Sequence, residues 1–419
     1  MARVNRGARW PGTSAGGRAL VWAALGVASA VKLYLALTTA GTLDAASFAD
    51  HLSKIEQYGG LGAYHVRGVF DNPFNSPPFM IHALRALGWL SRATPLPFAF
   101  WLRLPCVAAD AVSLALGWRL LARLQPGRDL TRPLLCVALS PVAVILSGFH
   151  GNTDPLMICL VVCAVWLVER GGRGRLAGLW AGAVFGLALS VKVAPLVYAP
   201  AFLCYLPTWP RRLKFGAAAA GLWLALASPY VWQEPLTVAR AVFGYGSLYG
   251  YWGWTYWLAH WQAATLTYAH APHDVTGPHA TYAAVGKWLL LGAVWALAYW
   301  LNRGGRRVPL FLQCGLVTAL FLALTPGFGP QYLAWLVPWL GALALGPALV
   351  FQLLGGVYLF VSYSCFIYRA APPGYCTDLS EPLTMNLCWA AVLLVLFAYV
   401  RALLSCLSRT AGFTQSTQR

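Results

Sequence analysis

The acidic residues of this chain are few, and one polar stretch holds a third of them. Of the 12 Asp and Glu residues in 419, four lie between Gly41 and Pro78, directly after the first hydrophobic segment: Asp44, Asp50, Glu56 and Asp71. A charged carboxylate is costly in lipid, so this stretch must lie in water at one face of a membrane. There, Asp44 could take the proton of an attacking hydroxyl, or it could be a solvated acid that helps to cap the following helix.

A second polar turn interrupts the apolar sequence at SGFHGNTD, which ends with His150, Asn152 and Asp154. His150 and Asp154 could orient an acceptor molecule or assist Asp44. The structural alternative is a polar turn in which Asp154 caps the helix that begins at Pro155.

Lys192 is a lone cation in the apolar segment 176–206. An ammonium group in such a place is costly unless an anion accompanies it. A lipid phosphate would supply that anion, whereas an ion pair with Asp154 or Asp110 is the structural alternative.

Composition indicates a polytopic membrane protein. Hydrophobic residues make up 59% of the chain and charged residues 10%, a balance that a soluble domain could hardly have. The net charge is +18, but the Arg residues come in short runs between apolar segments, as the positive-inside rule predicts. We therefore expect membrane lipids, and no nucleic acid, as partners. The ten Cys residues show no zinc-ligand spacing.

The alternation of apolar and basic segments predicts an all-α integral membrane protein of about 12 transmembrane helices, with both termini in the cytoplasm. The 419 residues are expected to form one transmembrane domain. Its parts are an outer loop with interfacial helices at 41–96, a second outer loop at 232–280 and a cytoplasmic tail at 405–419.

Three local expectations follow from the same segments. The apolar segment 176–206 is too long for one span and is predicted to form two short helices that meet near Lys192. The segment 333–345 is predicted to cross the membrane. Arg103 and Asp110, seven residues apart in one predicted span, could simply pair within the helix bundle, which would be a structural role.

Several stretches, taken in order, resemble the GT-C superfamily of polytopic glycosyltransferases. The stretches are DAASF from Asp44, GAY from Gly62, NSPP from Asn75, HGNTD from His150, GLALSVKVAPLVYAP from Gly186 and FGPQYLAWLVP from Phe328. Each stretch alone matches only loosely, and the resemblance rests on their occurring together in this order. The chain departs from the superfamily at Ser76, where an aromatic residue is usual, and at Asn152–Thr153, where a Gln is usual.

The resemblance implies an inverting transfer of a sugar, with mannose favoured, from a polyprenyl-phosphate or dolichyl-phosphate donor. The acceptor would be a hydroxyl of a lipid-linked or glycan molecule on the outer or luminal face, and no cofactor or metal is expected. Asp44 would be the general base, with Asp154 as the second catalytic candidate. The substrate-binding candidates are His150, Asn152, Lys192, Arg240, Tyr249, Trp252, Gln331, Tyr332 and Arg369.

Each of the later candidates also has a structural alternative. The outer Arg residues could anchor the surface, the aromatic residues could form the membrane belt, and Gln331 and Tyr332 could simply pack at a helix start. A transporter or flippase for a lipid or sugar is the alternative function, although no internal repeat is visible. The preference for Arg over Lys favours a bacterial plasma membrane, with the endoplasmic reticulum membrane second.

Overall fold

The computed structural model describes residues 13–66, 74–171, 176–244, 247, 249–250, 252–261, 277–303, 308–367 and 380–416. These residues form helices and turns and contain no strand. The predicted all-α class is therefore confirmed.

Helices in the first part of the chain lead to the polar turn at residue 150. They are α1 (Ala15–Thr38), α2 (Leu43–His65), α3 (Phe79–Ala93), α4 (Phe98–Leu124), α5 (Thr131–Ala138), α6 (Pro141–Ala143), a π-helical stretch (Val144–His150) and α7 (Asp154–Gly171). Segments α5, α6 and the π-helical stretch follow one another as a single apolar segment, Thr131–His150.

The second part contains more short elements. They are α8 (Ala177–Val191), a 3₁₀ helix (Ala194–Tyr198), α9 (Ala199–Tyr205), α10 (Trp209–Val231), α11 (Pro235–Phe243), α12 (Gly253–Trp261), α13 (Gly277–Asn302), α14 (Leu310–Leu324), two 3₁₀ helices (Pro330–Trp335 and Val337–Ala342), α15 (Leu345–Val361), a π-helical stretch (Ser362–Ile367) and α16 (Ser380–Ser416).

Six segments among the described residues are long and apolar enough to cross a membrane. They are Ala15–Thr38, Phe98–Leu124, Thr131–His150, Ala280–Asn302, Leu345–Cys365 and Ser380–Cys406. Large apolar side chains such as Trp288, Leu353 and Phe397 are more than 60% exposed, as expected of a surface that faces lipid. The chain is an integral membrane protein, but a count of twelve spans is not confirmed.

The prediction for 333–345 is wrong, because this segment is not a membrane-spanning helix. It lies in the two 3₁₀ helices, each with a proline in its first turn. Thirteen residues of α-helix would reach only about 20 Å, well short of the roughly 30 Å hydrocarbon core. The segment is instead buried inside the protein, where Trp335 and Trp339 are at most 1% exposed.

The predicted pair of short helices around Lys192 is confirmed. Helix α8 ends at Val191, Lys192 takes an extended backbone conformation, and the 3₁₀ helix follows with Pro195 in its first turn. Helix α8 packs closely on α10, because a Cβ atom at Gly182 would lie 2.2 Å from the carbonyl oxygen of Phe215. This packing fixes the end of α8, and with it Lys192.

In the described part of the chain, Arg103 and Asp110 take other partners instead of each other. Arg103 Nη1 donates to the carbonyl oxygen of Thr39, 3.0 Å away, at the end of α1. Asp110 instead accepts from Lys32 Nζ at 2.5 Å, which closes an ion pair between α1 and α4. The helix end offers Arg103 carbonyl oxygens that no residue of α1 satisfies, and these are natural partners for a guanidinium.

Candidate active site

One face of α2 forms a wall of a cavity of about 290 Å³. The face carries Asp44, Ser47, Phe48 and His51, whose spacing of three, four and seven residues places them on one side of a helix. The other walls are Phe74, Asn75, Ser76, Asn152, Thr153, Val191, Lys192, Val193, Ala194, Val242, Phe243, Gln331 and Tyr332.

The polar turn docks directly on the start of α2. Thr42 donates both its backbone N–H and its hydroxyl to the carbonyl oxygen of His150, at 3.2 and 2.8 Å. Gly151 has a φ of +82°, and a Cβ atom there would lie 2.8 Å from the Cβ of Ala45. Only glycine tolerates both this backbone conformation and this close approach, so the Gly of HGNTD lets the turn reach α2.

Asp44 stands at the contact between α2 and the turn. Its Oδ2 accepts from Asn152 Nδ2 at 2.5 Å and lies 3.2 Å from His150 Nε2, while its side chain remains 37% exposed. Burial alone would raise the pKa of Asp44. The charge and contact of His150, the hydrogen bond from Asn152 and the charge of Lys192 outweigh that effect and lower the pKa to about 2. The carboxylate is therefore ionised at any physiological pH.

The orientation of Asn152 follows from its second hydrogen bond. The side-chain oxygen accepts the backbone N–H of Thr153 at 2.6 Å, which leaves the NH₂ group to face Asp44. Asn152 thus holds the carboxylate as a fixed donor.

His150 is buried behind Asp44, with 3% of its surface exposed. Its Nδ1 lies 2.9 Å from the hydroxyl of Tyr363 and 3.0 Å from that of Thr42, and its ring stacks on Tyr363 with centroids 5.3 Å apart. The Thr42 hydroxyl donates its hydrogen to the His150 carbonyl oxygen, so it can only accept at Nδ1, whereas the Tyr363 hydroxyl can donate or accept there. Nε2, at the opposite edge of the ring, lies 3.2 Å from Asp44 Oδ2.

Lys192 and Asp154 form a second polar pair at the cavity wall. Lys192 Nζ lies 2.8 Å from Asp154 Oδ2, and the other oxygen of Asp154 accepts from Trp335 Nε1 at 2.5 Å. The Asp154 side chain is fully buried, while that of Lys192 is 24% exposed and lines the cavity 5.2 Å from the centre of the Tyr332 ring. The ion pair with Asp154 that the sequence offered as the structural alternative is therefore present.

The predicted site residues separate into two groups. Asp44, Asn152, Lys192, Gln331 and Tyr332 line the cavity, while His150 and Asp154 lie behind it and hold Asp44 and Lys192. The cavity accordingly brings a carboxylate and an ammonium group to one space, together with neutral hydrogen-bonding groups.

Three of the remaining candidates do not line this cavity. Arg240 is exposed on α11, and Tyr249 is partly buried outside the cavity wall. Trp252 is 1% exposed, stacks on Phe328 with centroids 3.8 Å apart and donates to the carbonyl oxygen of Leu322, so it is a core residue. Arg369 lies outside the described residues.

Sequence reasoning missed several residues of the site. Ser47 and His51 had a signal, because they follow Asp44 at helical spacing. Thr42 and Tyr363 had none, since a Thr beside a loop and a Tyr in an apolar segment are common and their contact with His150 spans 108 and 213 residues.

Comparisons with known proteins find similarity in one segment of the sequence and in the fold. Residues 98–232 match the model of the family described as dolichyl-phosphate-mannose-protein mannosyltransferase. The apo structure of ArnT from Cupriavidus metallidurans superposes with a TM-score of 0.50 at 13% identity, over 93% of this chain and 77% of that one. The structure of the same protein bound to undecaprenyl phosphate gives a TM-score of 0.49 at 14% identity, over 95% and 79%. The predicted resemblance to the GT-C superfamily is confirmed by the matched segment and by the fold.

Proposed function

We propose that this chain, which has the GT-C fold, is an inverting glycosyltransferase that moves a sugar from a polyprenyl-phosphate donor to an acceptor hydroxyl. The observation that carries the proposal is the presence of Asp44 and Lys192 in the same cavity. Sugar transfer from a lipid phosphate requires a group that takes the proton of the acceptor and a cation that holds the phosphate.

The phosphate of the donor would bind at Lys192. The 24% of the side chain that remains exposed faces the cavity, while Asp154 holds it from the buried side. Val193, Ala194, Val242 and Phe243 give the same part of the cavity an apolar wall, which suits the first carbons of a prenyl chain. The family matched by residues 98–232 is named for a dolichyl-phosphate sugar, which supports a donor of this class.

Asp44 would orient the acceptor hydroxyl and receive its proton. A carboxylate with a pKa of about 2 is a weak base towards a free alcohol. In a transfer with an oxocarbenium-like transition state, however, the hydroxyl becomes strongly acidic as its oxygen bonds to the anomeric carbon. The proton then passes to Asp44 late in the step, as the sugar leaves the phosphate oxygen with inversion.

The two buried partners would act through the residues that line the cavity. His150, whose Nε2 lies 3.2 Å from Asp44 Oδ2, stabilises the ionised carboxylate, and Asp154 holds the Lys192 side chain in place. Because Asp154 does not line the cavity, we assign it a positioning role rather than contact with substrate.

Mannose is the favoured sugar, since the matched family is described as transferring it. We further propose a lipid-linked or glycan acceptor, a bacterial plasma membrane, and termini in the cytoplasm with the cavity on the opposite side. The positive-inside pattern of the Arg residues supports this orientation.

The proposal is tested with protein in nanodiscs and radiolabelled polyprenyl-phosphate-mannose, with the glucose donor in parallel. We expect wild type to consume one donor and Asp44→Asn to lose at least a hundredfold of that rate. Asp50→Asn is the matched control, because Asp50 lies on the same helix, pairs with Lys54 and does not line the cavity. Unchanged consumption by folded Asp44→Asn would overturn the mechanism and favour a carrier.

A further inference from the structure

The wall of the cavity formed by α2 and the segment before α3 carries neutral polar groups. Beyond Asp44 these are Ser47, His51, Asn75 and Ser76. The nearest further charges on α2, Asp50 and Lys54, pair with each other at 3.0 Å and do not line the cavity. This wall therefore differs from the Lys192 side, which suits an anion.

The hydrogen bond that His51 makes determines its tautomer. His51 Nδ1 lies 2.6 Å from the backbone carbonyl oxygen of Ser47, one turn earlier on α2. A carbonyl oxygen can only accept, so Nδ1 carries the hydrogen and a neutral ring must present a lone pair at Nε2. Burial lowers the pKa of His51 to about 4, against an opposing effect of Asp50, so the ring is neutral at physiological pH.

The position of the ring directs Nε2 away from the helix. Because Nδ1 is bonded to the backbone of α2, the opposite edge of the ring faces outward, and the face packs on Phe74 with centroids 5.2 Å apart. The side chain is 8% exposed and lines the cavity, and Nε2 has no hydrogen-bond partner among the residues that the structure describes. An acceptor on a cavity wall is open to water when the cavity is empty, so a ligand that displaces this water must supply a donor in its place.

We infer that His51 Nε2 accepts a hydrogen bond from a hydroxyl of a sugar ring, so that the α2 wall is the subsite for a neutral, polyhydroxylated group. Ser47, Asn75 and Ser76 supply further donors and acceptors for the same ring. The inference rests on the proposed function and deepens it, since it assigns the sugar to the α2 wall and makes His51 a specificity-determining residue. A donor sugar and an acceptor sugar share this chemistry, and the experiment distinguishes them.

Two substitutions separate the two nitrogen atoms of the ring. His51→Asn keeps a donor near the place of Nδ1, able to reach the Ser47 carbonyl, and removes the acceptor at Nε2. His51→Gln places an amide oxygen near Nε2 and can still accept. His82→Asn on α3 is the control, because His82 is exposed and does not line the cavity.

The first measurement compares the binding of undecaprenyl-phosphate-mannose and of undecaprenyl phosphate by each variant in nanodiscs. The second measures the KM for octyl mannoside as acceptor in the transfer assay. If the α2 wall holds the donor sugar, His51→Asn weakens binding of the sugar-linked lipid about 3- to 10-fold and leaves binding of undecaprenyl phosphate unchanged. If it holds the acceptor sugar, the KM for octyl mannoside rises by a similar factor while kcat changes less. In either case His51→Gln is closer to wild type.

The inference is overturned if folded His51→Asn binds both lipids as wild type does and the acceptor assay also gives no support. The acceptor assay gives no support if the KM for octyl mannoside does not rise in this variant, or if wild type does not use octyl mannoside. Equal weakening for both lipids also overturns it, since His51 would then act on the phosphate or on the fold. Failure of the proposed function gives a different result, because wild type itself would then neither bind undecaprenyl phosphate nor consume the donor.

Discussion

The ion pair between Lys192 and Asp154 gives an asymmetric prediction for its two partners. Lys192→Met leaves the Asp154 carboxylate, which is fully buried, with the hydrogen bond from Trp335 as its remaining side-chain contact. Removing one partner of a buried pair costs about 3–5 kcal/mol in the free energy of unfolding, because the other charge stays uncompensated.

The opposite substitution, Asp154→Asn, should cost less. The Asn oxygen can still accept from Trp335, and the Lys192 ammonium, whose side chain is 24% exposed, can be hydrated from the cavity. The free energy of unfolding then falls by the contribution of one charge-assisted hydrogen bond, about 1.5–3 kcal/mol. The double variant removes both charges, so it should be more stable than Lys192→Met, with a coupling energy of about 1–3 kcal/mol.

The assay is a double-mutant cycle on unfolding by titration with a denaturing detergent in mixed micelles, with undecaprenyl phosphate binding as a second readout. Lys192→Met should lose binding of the lipid phosphate, whereas Asp154→Asn should keep it or bind about 3- to 10-fold tighter, because the ammonium no longer shares its charge. Additive losses of stability, or loss of lipid binding in Asp154→Asn as complete as in Lys192→Met, would refute the reasoning.

Three further predictions concern other contacts. Tyr363→Phe keeps the stacking on His150 but removes the hydroxyl that contacts Nδ1, so sugar transfer should fall about tenfold in kcat with little change in KM; equal kcat values would contradict a role of this hydroxyl in positioning His150. Because the pKa of Asp44 is lowered, its ionisation contributes stability above the unfolded value of about 3.9, and this is lost as pH falls towards about 2. The difference in unfolding free energy between wild type and Asp44→Asn should therefore be constant from pH 7 to 5 and change below pH 4, and a change centred near neutral pH would contradict it. Gly182→Ala should cost about 1–3 kcal/mol by pushing α8 from α10, while Gly221→Ala, with open space around it, should be neutral or stabilising in the same unfolding assay.

The sequence predicted the fold correctly at positions where a polar residue or a proline allows only one local structure. Lys192 and Pro195 cannot continue an apolar helix, so the break after Val191 was predictable. The segment 333–345 was as apolar as a span, and its apolar character reflects burial inside the protein. Hydropathy does not distinguish contact with lipid from contact with other side chains, and the wrong prediction there has this cause.

The site was predictable for residues that stand out from their surroundings. Asp44, the HGNTD turn and Lys192 are polar groups next to apolar segments. Each belongs to one of the stretches that carry the resemblance, and all three contribute to the walls of one cavity. Pairing was harder to predict, because the choice between Asp154 and Asp110 for Lys192 depends on how helices far apart in sequence pack. Asp110 pairs with Lys32, which lies 78 positions earlier and has no pattern in the sequence that connects it with Asp110.

If Lys192 binds the donor phosphate as proposed, the pairing of each charge in the cavity affects product release. Asp44 faces His150 and Asn152, and Lys192 faces Asp154, so an incoming phosphate meets a cation whose charge is already shared. A sugar-linked lipid phosphate carries one negative charge, and the lipid phosphate left after transfer gains part of a second near neutral pH. A fully unpaired Lys would hold that product more tightly than the donor. Asp154 Oδ2 lies 2.8 Å from the ammonium, so its charge repels the second negative charge of the product phosphate and offsets the stronger attraction of that phosphate to Lys192. We therefore expect the lipid phosphate to leave after transfer without a large energetic penalty. Buried Asp154 would therefore serve turnover through Lys192, which explains why a carboxylate belongs at that position although it does not reach the cavity.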